Sequence, residues 1–179
     1  MGYGSVAIAL HWLTAVLVVC AYVFGLGGSE QEVYARENDF NRAVHEALGM
    51  SVLILAAVRL AWKAAAPSPR LPAIAPWMDR FSKLVQWTLY ALLIATPLTA
   101  IGGAWLEGHP LTLGVLGSVL PLLPKAPQLG HQLADLHPLL GDVTIWLAGL
   151  HAAAALFHHF MLRDDVLFSM LPAAWRRRS

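Results

Sequence analysis

Four apolar stretches, each long enough to cross a bilayer, limit what this chain can fold into. About 20 helical residues, at a rise of 1.5 Å each, span the hydrocarbon core. Val6 to Gly28 meets that length, and apart from Cys20 and Tyr22 its one ionisable group is His11. Phe40 to Trp62 is the second stretch, polar at its start (Arg42, His45, Glu46) and carrying Arg59 near its end. Leu84 to Leu106 is the third, uncharged until Glu107, with Pro97 as a predicted kink. Leu139 to Leu162 is the fourth and holds Asp142, His151, His158 and His159. The predicted fold is an all-α membrane protein: one domain over residues 1–179, a four-transmembrane-helix bundle with spans at about 6–28, 40–62, 84–106 and 139–162. Composition agrees, because 13% charged residues are too few to cover the surface of a soluble domain.

The charges are few and unevenly placed. A net charge of +1 is too small to suggest nucleic acid, and none is expected as a partner. The single cysteine makes no internal disulfide, and no CxxCH motif exists for covalent haem attachment. The start, MGYGSVAIAL, lacks the positive region of a secretory signal, so the first stretch is expected to remain as an anchor. Lys63, Arg70, Arg80 and Lys83 lie between spans two and three, and Arg163, Arg176, Arg177 and Arg178 follow span four. The opposite side carries Arg36, Arg42 and Lys125 among Glu30, Glu32, Glu37, Asp39, Glu107 and Asp135. The positive-inside rule then places both termini in the cytoplasm of a bacterial inner-membrane protein. The proline-rich linker from Lys63 to Lys83 is expected to be irregular, with a short interfacial turn at Trp77. Trp12, Trp62, Trp87 and Trp175 also read as interface markers. The segment from Glu107 to His137 is too broken for a span and is expected to fold back over the outer face.

Ionisable residues inside a membrane are costly and point to function. For a lone histidine the plain alternative is an interhelical hydrogen bond. His137 and His151 are fourteen residues apart, hence on one helix face and about 21 Å apart along the axis. Antiparallel packing sets His45 beside His137 near the outer surface and His11 beside His151 near the inner one. Two stacked bis-histidine sites result. Two imidazoles are too few for structural zinc, whereas haem takes two axial ligands on opposite faces of a flat ring. Gly49, Gly102, Gly103, Gly149 and the Ala152 to Ala155 run leave room for it. Arg59, fourteen residues after His45, reads as a haem propionate partner or as a side chain snorkelling to the surface. His158 reads as a quinone or propionate contact, with interfacial polarity as the plain alternative. His159 reads as interfacial, and His131 faces away from His151. Pro138 restricts His137 and suggests that a helix begins there.

The runs YGSVAIALHWLTAVLVV, VHEALGMSVLILAAVRLAWK, GHPLTLGVLG and above all GLHAAAALFHHFMLRDDVLFSML resemble the bacterial cytochrome b-561 family over nearly the whole chain. That resemblance implies a four-helix di-haem membrane cytochrome exchanging electrons with quinone. It places the axial ligands on His11, His45, His137 and His151, associates His158 with quinone, and makes two haem b and ubiquinone the expected cofactor and partner. One member type oxidises superoxide outside the inner membrane and reduces ubiquinone, which makes superoxide:ubiquinone oxidoreductase the sharpest expectation, superoxide being one candidate for the outer donor. A cytochrome subunit serving a separate dehydrogenase is the alternative within electron transfer. A non-redox, histidine-rich transporter or scaffold is the alternative outside it, though transporters usually show repeats or broken helices. The orientation is directly testable. With Cys20 removed, an impermeant thiol reagent on intact cells should label Ser29→Cys and not Ser179→Cys; the reverse pattern inverts the topology.

Overall fold

The computed structural model describes residues 3–25, 30–66, 75–114 and 117–171. Gly28, Arg70, Trp175 and Arg176 to Arg178 lie outside them. Four long helices form the bundle: α1 (Ser5–Val23), α3 (Asp39–Ala65), α4 (Pro76–Glu107) and α5 (Pro127–Phe157). All four are long and apolar enough to cross a membrane, the fourth continuing to Leu162 through a π-helical turn at His158–Leu162. Short helices α2 (Glu30–Val33) and α6 (Val166–Ser169) flank them, and a two-stranded hairpin pairs β1 (Leu111–Thr112) with β2 (Ser118–Val119). The ends of the bundle are chemically distinct. One, the terminal end, gathers the first residues of α1, the end of α3, the start of α4 and α6. The other, the hairpin end, carries α2 and the β-hairpin.

Local chemistry sets the helix limits. Pro76 and Pro127 open α4 and α5 in the first turn, where a missing N–H costs nothing. Gly108, at φ 94°, closes α4, its N–H donating to the Ala104 carbonyl and that of His109 to the same oxygen. Asp39 in the first turn of α3 and Lys63 in the last both suit the helix dipole. Long apolar side chains such as Val16, Ile54 and Leu98 face outward, and Trp146 is 80% exposed. In water that surface would aggregate; in lipid it is solvated.

Two helix pairs build the bundle. α1 packs on α3 and α4 packs still more extensively on α5, while α3 meets α4 and α1 barely touches α5. Val52 and Ala56 of α3 and Leu93 of α4 form the central core, with Leu17, Val18 and Ile94 against it. The α4–α5 seam depends on small residues. A Cβ on Gly103 would come within 3.1 Å of the Ala134 backbone nitrogen and 3.2 Å of the Gly130 carbonyl oxygen. Gly102 is similarly confined by Leu133. These two glycines therefore bring backbones together rather than leaving room for a cofactor. The Ala152 to Ala154 side chains likewise face outward.

Three further boundaries differ from expectation. Helix α5 begins at Pro127, so Pro138 lies inside it and marks no helix start. Packing on α4 carries the helix through that position, and a proline break is tolerated where neighbouring helices re-satisfy the backbone. Trp77 sits in the first turn of α4 itself, not in a separate interfacial turn. The connection after Glu107 is also shorter than the sequence suggests, since α5 claims its last third. Replacing Gly103 by Leu should overpack the α4–α5 seam and cost about 1–3 kcal/mol. It should lower the melting temperature of the detergent-solubilised protein. Gly49→Ala, which meets nothing within 4 Å, should leave it nearly unchanged.

Candidate functional site

Residues seven apart on a helix differ by only about 20° in direction, so heptad spacing lines up one face. On α5 that face carries His137, Thr144, His151 and, at the π turn, His158. On α3 it carries His45, Val52 and Arg59. The two faces run in the same direction and produce matching levels. His45 meets His137 near the hairpin end, buried Val52 and Thr144 lie midway, and Arg59 and His151 lie toward the terminal end with His11 of α1.

At the hairpin end the rings of His45 and His137 are 5.8 Å apart between centroids and nearly perpendicular, at 82°. Each is tied back by its own Nδ1. His45 Nδ1–H donates to the Ala21 carbonyl oxygen at 2.8 Å, and His137 Nδ1–H donates to that of Thr96 at 2.9 Å. A carbonyl only accepts, so each neutral ring keeps its proton on Nδ1 and a free lone pair on Nε2. That tautomer is the one a metal-binding imidazole needs. With 5.8 Å between their ring centres, His45 and His137 would together hold one haem iron through their Nε2 atoms. Gly49 and Gly141 each lie one turn beyond their histidine and have open space where a side chain would project.

The terminal-end group is wired differently. Arg59 Nη2 donates to His11 Nδ1 at 3.3 Å, and the Arg59 charge acts on both His11 and His151. Its guanidinium also lies over the Tyr90 ring at 5.2 Å, and Lys63 lies over Trp87 at 4.3 Å. Arg59 is thus drawn inward as well as toward the surface. Tyr3 donates its backbone N–H to Ser169, and Trp12 Nε1–H donates to the Met170 carbonyl, so α6 closes this end. Burial, with Tyr90 adding, pushes the Tyr3 phenol up, which keeps it neutral and able to donate.

Other predicted positions fall outside these levels. His131 projects from the hairpin-end start of α5, 55% exposed, and meets Glu107 at 2.8 Å. His109 stacks on Tyr34 at 3.7 Å, and His159 lies edge-on to Phe168. Arg42 is held by Asp39 at 2.6 Å and Glu46 at 3.6 Å, while Glu46 accepts the Thr112 backbone N–H and ties the β-hairpin to α3. Sequence reasoning missed four hydrogen bonds. Tyr22 donates to Asp142 at 2.8 Å across the thin α1–α5 contact. Asp164 bonds His158 at 2.6 Å. The Ala21 and Thr96 carbonyls orient the histidines. Asp142 was legible as an ionisable residue within a span; backbone carbonyls leave no signal in a sequence.

Facing imidazoles with free Nε2 atoms inside a four-helix membrane bundle suit an iron porphyrin held without a covalent bond. Among the described residues no cluster of three or more metal-ligating side chains offers bare metal a site. Comparison with known proteins points the same way. A family model described as prokaryotic cytochrome b561 matches residues 2–173. A probable superoxide oxidase of Yersinia pestis is 29% identical over 95% of this chain and 96% of its own length. Cytochrome b561 homolog 2 of Escherichia coli is 27% identical, covering 94% of this chain and 90% of its own. Cytochrome b562 of Cereibacter sphaeroides is 28% identical over 95% of each. The molecule is a membrane b-type cytochrome of electron transfer, binding haem b. The chain belongs to the prokaryotic cytochrome b561 family.

Proposed function

We propose that the chain binds two haem b groups, one between His45 and His137 and one between His11 and His151. Through them it carries single electrons across the bacterial inner membrane between a donor at the hairpin end and a quinone at the terminal end. The observation that carries this reading is the facing of His45 and His137 with both Nδ1 protons committed to carbonyls. Haem supplies a one-electron couple when bound. The residues supply ligands, spacing and a water-free surround. The two levels are about 21 Å apart along α5, which fits within a hydrocarbon core of about 30 Å.

The His11–His151 level needs one adjustment. Ligation through His11 Nε2 requires the proton on Nδ1, so Arg59 must donate elsewhere, and a propionate is the carboxylate that suits a guanidinium. Arg59 is accordingly assigned to a propionate. His158, one heptad beyond His151, is assigned to the quinone, which we take to be ubiquinone. Both termini and the quinone then face the cytoplasm. Changing His45 or His137 to Ala should remove the hairpin-end haem and leave the other; changing His11 or His151 should do the reverse. Haem content and the reduced spectrum measure this. One haem per chain in the wild type would defeat the pairing.

Superoxide is the sharpest candidate donor, because one relative carries the name probable superoxide oxidase. The field at the hairpin end does not favour an anion. The segment from Gly28 to Arg42 has a net charge of −2, and Arg42 is neutralised by Asp39 and Glu46. Haem reduction by pulsed superoxide should therefore be slower than in a relative with a basic face there, and should speed up as salt screens the repulsion. A near-diffusion-limited rate that falls steeply with salt would show the opposite field and a dedicated superoxide site.

A further inference from the structure

At His158 the helix widens into the π turn, and the chain then reverses through Arg163, whose backbone is left-handed at φ 52°. Single π turns of this kind recur at functional sites. The reversal brings Asp164 back against His158, Nδ1 to Oδ2 at 2.6 Å, and the Asp164 N–H donates to the His158 carbonyl at 3.3 Å. The second carboxylate oxygen accepts the Val166 N–H at 3.1 Å, so the carboxylate is held at both oxygens. A carboxylate accepts and does not donate, so Nδ1 carries a hydrogen and Nε2 is the nitrogen left for another partner. Around this half-buried pair, Phe157, Phe160, Met161 and Leu162 stand exposed, a lipid-facing surface that a membrane-soluble quinone would meet.

We propose that His158 delivers protons to the quinone through Nε2, with Asp164 as the residue that positions it. The proposal rests on the quinone reading above. Reducing a quinone to its quinol takes two electrons, which arrive singly from the haem-borne couple, and two protons. In each proton step the Nε2–H bond of a doubly protonated His158 breaks and an O–H bond forms on a quinone oxygen. The imidazole is left neutral, with Nδ1–H still donated to Asp164. Water at the terminal end then returns a proton to Nε2 for the second step. Asp164 holds the ring's tautomer and direction throughout and does not itself take the proton, the division of labour known from histidine–carboxylate pairs in hydrolases. The other ionisable groups on the packed elements are differently engaged. His159 lies edge-on to Phe160 and Phe168, Arg163 and Asp165 are exposed, and His151 lies one heptad away toward the bundle interior.

The test uses the full-length, haem-loaded protein, reduced and then mixed with a short-tailed benzoquinone. Asp164→Asn should slow haem oxidation at saturating quinone by about 10- to 100-fold, since a positioned general acid contributes on the order of 100-fold or more. The half-saturating quinone concentration should change less than about threefold, because a positioning role acts on the proton step rather than on binding. Asp164→Glu should recover most of the rate, and Asp165→Asn should match the wild type. Independently of turnover, the His158 Nδ1–H should give a downfield proton resonance in the wild type that disappears in Asp164→Asn. Should Asp164→Asn lose haem, His158→Gln carries the same rate comparison. A full rate in Asp164→Asn with the resonance gone would overturn the proton role, as would a raised half-saturation at unchanged rate. A wild type whose haem no quinone oxidises would overturn the quinone reading and this inference together.

Discussion

Inside a bilayer no water is present to satisfy a polar group, and that constraint governs how the helices and histidines of this bundle are tied. Helices satisfy the backbone internally; side chains must find partners of their own. Thr14, 2% exposed, returns its hydroxyl proton to the Leu10 carbonyl, and Thr144 does the same to Leu140. Tyr22 and Asp142 satisfy each other across α1 and α5. The histidines obey the same rule with a functional consequence. A carbonyl that accepts the Nδ1 proton removes a buried unsatisfied donor, and in doing so leaves the lone pair on Nε2.

The pairing of helices follows from where small residues allow close approach. Gly103 and Gly130 draw α4 and α5 together, and that contact carries α5 straight through Pro138. No equivalent contact joins α1 to α5. Between the two helix pairs the contact of α1 with α5 stays thin, and His45 and His137 face each other there at 5.8 Å between ring centres. Tight packing in one place and its lack in another are parts of one arrangement.

The two ends differ in electrostatics. At the hairpin end Arg42 is absorbed by Asp39, Glu46 and the Tyr34 ring, and Glu107 is 6% exposed against His131. At the terminal end Arg59 and Lys63 lie over aromatic rings, and a carboxylate pairs with a histidine at the π turn. Cation–π contacts let a cation rest at a membrane interface without a counter-charge. The arrangement gives the hairpin end little attraction for anions and leaves the terminal end able to hold a carboxylate-bearing group.

Apolar run length alone determined four spans, and heptad arithmetic alone placed His45 with Arg59 and His137 with His151 on common faces, because both depend only on the rise and turn of a helix. Pro138 misled for the same reason. Its local preference is real, but the α4–α5 contact outweighs it, and that contact depends on Gly103, far earlier in the chain. Gly102 and Gly103 looked like space for a cofactor and prove to be the points where backbones meet. A glycine in a sequence permits either, and only the neighbour across the seam decides between them. The tautomers of His45 and His137, and the carboxylate behind His158, were beyond reach for a further reason. Their partners are backbone carbonyls and the far side of a chain reversal, and these acquire positions only when the bundle closes and the π turn folds back.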